Sequence, residues 1–169
     1  QHLEIVRRNA ERLLRLVGDL LFVAQVDAGK LALEAVPVDV AEIVRECLEA
    51  IGPRALQREI ELGLDDEPVD AVEGDPLRLA QLLDNLVSNA VKFTLPGGRV
   101  AVTVAGRPGH VVLTVSDTGI GIPEAEQSQL FECFFRTEGA TRLAIQGTGL
   151  GLTISKAIVE AHAGTIAVE

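Results

Sequence analysis

The chain has 169 residues, 47% of them hydrophobic, which suffices for one domain with a sizeable core and excludes a mostly disordered chain. A net charge of −10, with five Phe and neither Trp nor Tyr, argues against a broad nucleic-acid footprint and against base stacking on aromatic side chains. Cys47 and Cys133 lie far apart without C-x-x-C spacing, so neither zinc nor a disulfide framework is indicated, and both thiols are expected to be reduced in a cytosolic setting.

Residues 1–29 repeat apolar side chains at Leu3, Val6, Ala10, Leu13, Val17, Leu20 and Ala24, widened by Leu14 and Leu21. Alternating steps of three and four make a bundle seam, which calls for a partner helix; packing on the chain's own domain is the alternative. Gly29 stands where a helix C-cap belongs. Residues 31–35 alternate like a short strand that Pro37 breaks, and 39–57 have helical periodicity. "EIELGL" (59–64) and "PVDAVE" (68–73) read as strands. Asp75-Pro76 is a helix start, and the helix over 76–93 carries Leu79, Leu82, Leu83, Leu86, Val87 and Ala90 on one face. "RVAVTVA" and "HVVLTVSD" alternate as two strands joined by a Gly/Pro turn. Residues 117–148 are loop-rich with a short helix after Pro123, 149–163 form a last helix, and "GTIAVE" begins a strand. The pattern predicts an α+β two-layer sandwich, a mixed sheet covered on one face by helices, preceded by one long N-terminal helix. No apolar run approaches the roughly 18 residues of a membrane span, and no signal peptide is visible. A beginning in mid-helix and an end in a strand-like run suggest a piece of something longer.

Three stretches carry chemistry. In "QLLDNLVSNAVKFT" (81–94), Asn85, Asn89 and Lys92 fall at i, i+4 and i+7, one stripe well away from the leucine face. Asparagine is a weak helix former, so two in mid-helix on one face need a reason. Their carbonyl oxygens suit a hard cation such as magnesium, and the lysine suits phosphate; a solvated helix face is the bland alternative. In "VVLTVSDTGIGIPE", Asp117 ends a strand before Gly119 and Gly121. A carboxylate there can accept from an exocyclic amine such as adenine's, and the glycines let a flat ring approach; the bland alternative is a tight turn with an Asp cap. "GTGLGLTISKAI" (147–158) is neither a Walker loop, since no Lys-Ser/Thr follows, nor a dinucleotide fingerprint, since position 152 is Leu152. It remains a glycine-rich approach to a helix N-terminus, which favours an anion, with 136–146 before it as a candidate lid.

Together these stretches resemble the catalytic and ATP-binding domain of sensor histidine kinases, in the superfamily shared with DNA gyrase, the heat-shock chaperone and mismatch-repair ATPases. "NLVSNAVKFT" is similar to the family's N box, "DTGIGI" to its first glycine box, "FECFFR" (131–136) to its F box and "GTGLGL" to its second glycine box, in the right order. The resemblance implies that Asn89 coordinates magnesium with Asn85 assisting, and that Lys92 contacts phosphate. It further implies that Asp117 recognises the adenine amine with Gly119 and Gly121 beside the ring. Gly147, Thr148, Gly149, Leu150 and Gly151 would supply backbone contacts to the phosphates. Phe131, Phe134 and Phe135 would anchor the lid base by packing, while Arg136 is left between the γ-phosphate and solvent. The implied cofactors are ATP and Mg2+, and the reaction is γ-phosphoryl transfer to a histidine for relay to a response-regulator aspartate. Residues 1–29 would then be the second helix of a dimerisation and phosphotransfer bundle, 30–38 a linker strand and 39–169 the ATP domain, short of a closing strand. The implied partners are a second copy through the bundle helix and a receiver domain, with no nucleic acid and no membrane contact by this segment. A cytoplasmic location is expected, under a parent that the resemblance favours as membrane-anchored.

The departures are specific. The family's acceptor pattern, like H-E-[LI]-[RK]-[TN]-P, is missing: His2 precedes Leu-Glu, His110 sits in a hairpin turn and His162 lies near a helix end, in a structural and dipole role. ATP binding without autophosphorylation is therefore expected of this segment. Where the family reads His-Gly-Gly, Ala163 intervenes, which is expected to stiffen the turn slightly. The alternatives are a serine kinase or ATPase of the same superfamily, against which the heptad helix argues, and a non-catalytic ATP-binding or dimerisation module, against which the intact boxes argue.

Overall fold

The computed structural model describes residues 2–29 and 31–169; within the N-terminal helix, the side chains of residues 2–5, 8, 11, 12, 15 and 27, His2 and Leu3 among them, fall outside what is described, as does Lys30 of the expected linker. In chain order the elements are α1 (His2–Asp27), β1 (Val36–Val38), α2 (Val40–Gln57), β2 (Glu61–Asp66), β3 (Val72–Gly74) and α3 (Pro76–Phe93), followed by β4 (Arg99–Arg107), β5 (His110–Asp117), α4 (Glu124–Gln127), α5 (Glu138–Arg142) and α6 (Gly151–Ala161). Among the described residues, no helix is long and apolar enough to cross a membrane.

The main sheet has the order β2-β4-β5, with β2 parallel and β5 antiparallel to β4, so it is mixed as expected. A parallel pair needs a crossover, and α3 lies within the chain that connects β2 to β4. Val100, Val102 and Val104 of β4 are fully buried, and the residues between them, Ala101 and Thr103, are half-buried. The buried set packs with Val44 and Ile51 of α2 and Leu83, Val87 and Val91 of α3. Burying each such side chain is worth roughly 1.5–3 kcal/mol. A second core joins Phe22 of α1, Leu82 of α3 and Leu150, Ile154 and Ile158 at α6.

Among the described residues, the bundle seam of α1 is not covered by the rest of the chain: Val6, Leu13, Val17 and Leu20 are exposed, as are Leu14 and Leu21. Packing on the chain's own domain holds for the last turns, where Phe22, Val23 and Val26 meet α6.

Several boundaries differ from expectation, each for a tertiary reason. Residues 31–35 form no strand; the strand is Val36–Val38, paired antiparallel with Val72–Gly74. Pro37 sits inside it, tolerated because this pair is a two-stranded sheet in which each strand has a free side for a residue without N–H. The strand expected at 59–64 starts at Glu61, because the chain first closes α2: Glu59 is left-handed (φ 58°), and the Ile60 N–H donates to Ala55 O at 2.9 Å. Of 68–73 only Val72 and Glu73 pair, together with Gly74. The last helix is shorter than 149–163, running Gly151–Ala161. The irregular stretch 137–146 contains α5, capped by the Thr137 hydroxyl, which accepts from the Ala140 N–H at 3.2 Å. "GTIAVE" alternates in burial at Ile166 and Val168 but forms no ladder.

Candidate functional site

Helix α3 starts where Asp75 accepts from the Arg78 N–H at 3.1 Å and Pro76 takes the first turn. Its buried residues Leu82, Leu83, Val87, Ala90 and Val91 fix its rotation, which leaves Asn85, Asn89 and Lys92 half-buried on another face. The glycine-rich stretch runs along that stripe. Asn85 Nδ2 donates to Gly151 O at 3.3 Å. A Cβ on Gly151 would stand 3.7 Å from Asn85 Cγ and 3.9 Å from Asn89 Nδ2, and one on Gly147 would stand 2.8 Å from Lys92 Nζ. Bare backbone thus faces the two amides and the ammonium in turn.

Burial lowers the Lys92 pKa below the usual 10.5, and the charges of Arg136 and then Arg54 lower it further. Its Nζ lies 4.6 Å from the centre of the Phe93 ring. Two arginine charges thus act on one half-buried ammonium, and the described ion pairs place no carboxylate on any of the three. Cations that repel one another are stabilised together by an anion.

The turn after β5 is stapled to the end of the same helix. Asp117 Oδ1 accepts from the Gly119 N–H at 2.8 Å, and the Ile120 N–H donates to Phe93 O at 3.3 Å. A Cβ on Gly119 would stand 2.6 Å from Phe93 O, so the approach requires glycine. Gly121 has φ +67°. The turn-capping reading of Asp117 is therefore present, and it occupies one carboxylate oxygen of an exposed side chain.

The intervening segment closes onto the glycines by backbone. The Phe134 N–H donates to Gly149 O at 2.9 Å, and a Cβ on Gly149, whose φ is +75°, would stand 2.6 Å from Phe134 C. The expected anchoring by phenylalanine rings holds unevenly: Phe131 and Phe135 are half-buried, whereas Phe134 is 62% exposed and is held by its main chain. Leu150 buries its side chain in the second core and spends its N–H on the Thr148 hydroxyl at 3.3 Å. Arg136 donates to Ile145 O, tying the two ends of the lid segment together. Glu126 Oε1 accepts from the Glu138 N–H at 3.4 Å, which tethers α5 to α4.

Some participants were not picked out from the sequence. Arg58, which ends α2, donates from Nη2 to Lys92 O at 3.3 Å and to Thr94 O at 3.2 Å, capping the last carbonyls of α3. Arg54 lies one turn earlier on α2. The only local signal was two arginines four apart near the end of a predicted helix. His162, expected in a structural role, accepts at Nε2 from the Asp75 N–H at 3.0 Å and donates from Nδ1 to Ile158 O at 2.8 Å.

The family model described as histidine kinase-, DNA gyrase B- and HSP90-like ATPase matches residues 74–169, more than half the chain, including the asparagine stripe, the turn at Asp117 and the glycine-rich stretch. The chain belongs to this family. Within it, the likeness is to the ATP-binding catalytic domains of sensor histidine kinases. The circadian input-output histidine kinase CikA of Synechococcus elongatus is 41% identical over all of this chain and 23% of its own length. Full-length ShkA, solved in complex with AMPPNP, matches with TM-score 0.85 and 34% identity over 96% of this chain and 34% of that one. Histidine kinase ThkA, solved in complex with response regulator protein TrrA, matches with TM-score 0.69 and 26% identity over 92% of this chain and 43% of that one. The chain thus spans under a quarter of the length of its curated relative CikA.

Proposed function

We propose that this chain binds Mg-ATP between α3 and the glycine-rich stretch and acts as the kinase part of a longer histidine kinase. The observation that carries this reading is the run of Gly151 and Gly147 along Asn85, Asn89 and Lys92, with bare backbone opposite a half-buried ammonium. Lys92 and the backbone N–H groups of Gly147, Thr148, Gly149 and Gly151 bind the phosphates, the Leu150 N–H being taken by the Thr148 hydroxyl, and Asp117 accepts from the adenine amine with Gly119 and Gly121 beneath the ring. Among the described residues no group of three or more His, Cys, Asp or Glu gathers to cage a metal. A neutral asparagine carbonyl fits magnesium, which takes few protein ligands and keeps waters and phosphate oxygens. Asn89, with Asn85 beside it, would hold the ion, whose chemistry is to neutralise charge between the phosphates.

The reaction is attack of an imidazole nitrogen on the γ-phosphorus. A P–N bond forms, the bond to the β,γ-bridging oxygen breaks and ADP leaves; the phosphoryl then passes to a receiver-domain aspartate. The acceptor histidine lies on a separate dimerisation helix, and α1, with its exposed seam, packs as the second helix of that bundle. Residues 1–29 then serve the bundle, 30–38 the link and 39–169 the nucleotide. The protein's part is positioning and electrostatics. Supporting this reading are the AMPPNP bound by ShkA and the regulator bound by ThkA.

The test mixes the chain with Mg-ATP and a polypeptide supplying the acceptor helix. Base-stable, acid-labile phosphate on that polypeptide is the expected result. Acid-stable phosphate would assign a serine kinase, and ATP hydrolysis alone a simple ATPase.

A further inference from the structure

The mechanism leaves Asp75 unused beyond its capping role, yet the residue is 7% exposed, its carboxylate accepts from two backbone N–H groups and its own N–H has a third partner. A helix cap needs one acceptor oxygen, and Oδ1 supplies it to the Arg78 N–H at 3.1 Å. Oδ2 instead accepts from the N–H of Glu34, 41 residues away in the segment that leads out of α1, at 3.1 Å. Desolvation pushes the Asp75 pKa up, but the N–H groups of Glu34, Arg78 and Leu77 and the charge of Arg78 outweigh it and hold the carboxyl below 3.8. The residue's own N–H donates to His162 Nε2 at 3.0 Å, and His162 Nδ1–H returns to Ile158 O at 2.8 Å. A carbonyl only accepts and an N–H only donates, so these partners select one neutral tautomer of the ring. The ring is seated on bare backbone: a Cβ on Gly74 would stand 2.9 Å from Leu79 Cδ1 and 3.2 Å from His162 Cδ2.

Asp75 therefore joins three elements: the exit of α1, the start of α3 and the end of α6. The opposite end of α6 is Gly151, which the Asn85 amide holds. An eleven-residue helix is a rod of roughly 16 Å, so its two ends move together. Phe22, Val23, Val26 and Leu31 also rest on the cluster built around Ile154 and Ile158 of the same rod. Both the last turns of α1 and the segment after it are thus referred to α6.

We propose that Asp75 and His162 are positioning residues that couple the second glycine box, through α6, to the segment leaving α1. Nucleotide bound at residues 147–151 is felt at the amide of Glu34 by this route. The inference rests on the nucleotide reading above and adds where that binding is transmitted.

The experiment is residue-resolved amide exchange on the full chain, with and without Mg and a non-hydrolysable ATP analogue whose binding is followed by calorimetry. In the wild type the analogue slows exchange at Glu34 at least about threefold. In His162→Phe, which keeps an aromatic ring and removes both hydrogen bonds, the analogue binds within about threefold of wild type but no longer slows Glu34. Equal slowing in His162→Phe overturns the coupling, and so does an analogue that binds the wild type without slowing Glu34. Failure of the analogue to bind the wild type instead sinks the nucleotide reading. The nucleotide-free arm then decides the hub alone. Asp75→Asn retains a good N-cap but puts an amide NH2 where one acceptor stood, so Glu34 or Arg78 exchanges about tenfold faster. Unchanged exchange at both amides overturns the hub.

Discussion

Lys92 and Gly147 meet across the site: the lysine Nζ stands 2.8 Å from where a Cβ on that glycine would be. The contact puts a half-buried cation against bare backbone at the start of the glycine-rich stretch, and it sets the first prediction. Because the free lysine has a lowered pKa, rising pH discharges it before 10.5. Below that pKa the ammonium is present and its burial costs folding stability; as pH rises through it that cost is relieved. A bound polyanion favours the charged form, so triphosphate affinity falls along the alkaline limb and binding there takes up a proton. Calorimetry across pH should show both effects, and Lys92→Arg should flatten the limb. Gly147→Ala pushes on a flexible ammonium, so it should cost about tenfold in affinity with little change in folding. An unchanged limb in Lys92→Arg would place the titrating group elsewhere.

Asn89→Ala should remove the magnesium dependence of ATP affinity, a loss of roughly 1.5–3 kcal/mol, about ten- to a hundredfold. The measurement is calorimetry with and without the metal. Persistence of the dependence would locate the ion at other groups.

Asp117→Asn keeps an oxygen for the Gly119 N–H but offers a donor where the acid offers only acceptors. Adenine nucleotides should weaken about ten- to a hundredfold while inorganic triphosphate is little affected. Equal loss for both ligands would show that this residue does not read the base.

Ala163 closes α6 with φ +57°, while the Gly164 N–H donates to Val159 O at 2.9 Å. A left-handed alanine costs roughly 1–2 kcal/mol, partly offset in glycine by its more flexible unfolded chain. Rather than stiffening an otherwise relaxed turn, the side chain strains it. Ala163→Gly should therefore raise stability by about 0.5–1 kcal/mol in denaturant unfolding. A loss of stability would contradict the left-handed close.

Burial, with the charge of Asp84 adding, pushes the Cys47 thiol up to about 11, whereas Cys133 is exposed. Iodoacetamide near neutral pH should label Cys133 first, with Cys47 at least about tenfold slower, because the thiolate is the nucleophile. Mass spectrometry over time reads this directly, and comparable rates would show that Cys47 is open to solvent.

Local chemistry made much of this molecule legible. Asp75-Pro76 begins α3 and the leucines orient it, so the stripe of Asn85, Asn89 and Lys92 could be drawn without coordinates. The alternation of β4 and β5 and the turn at Asp117 follow likewise from neighbours in sequence, whose sterics and hydrogen bonds act within a few residues. What depends on distant partners was not legible. Val36–Val38 becomes the strand because Val72–Gly74 pairs with it, Glu34 being held instead by Asp75. Gly149 leaves the helix to meet Phe134. Arg58 reaches the end of α3, and His162 reaches Asp75 across 87 residues. Periodicity and capping decided which faces existed; only close packing of one helix against another decided which faces met, because a contact between elements is formed by both and encoded in neither alone.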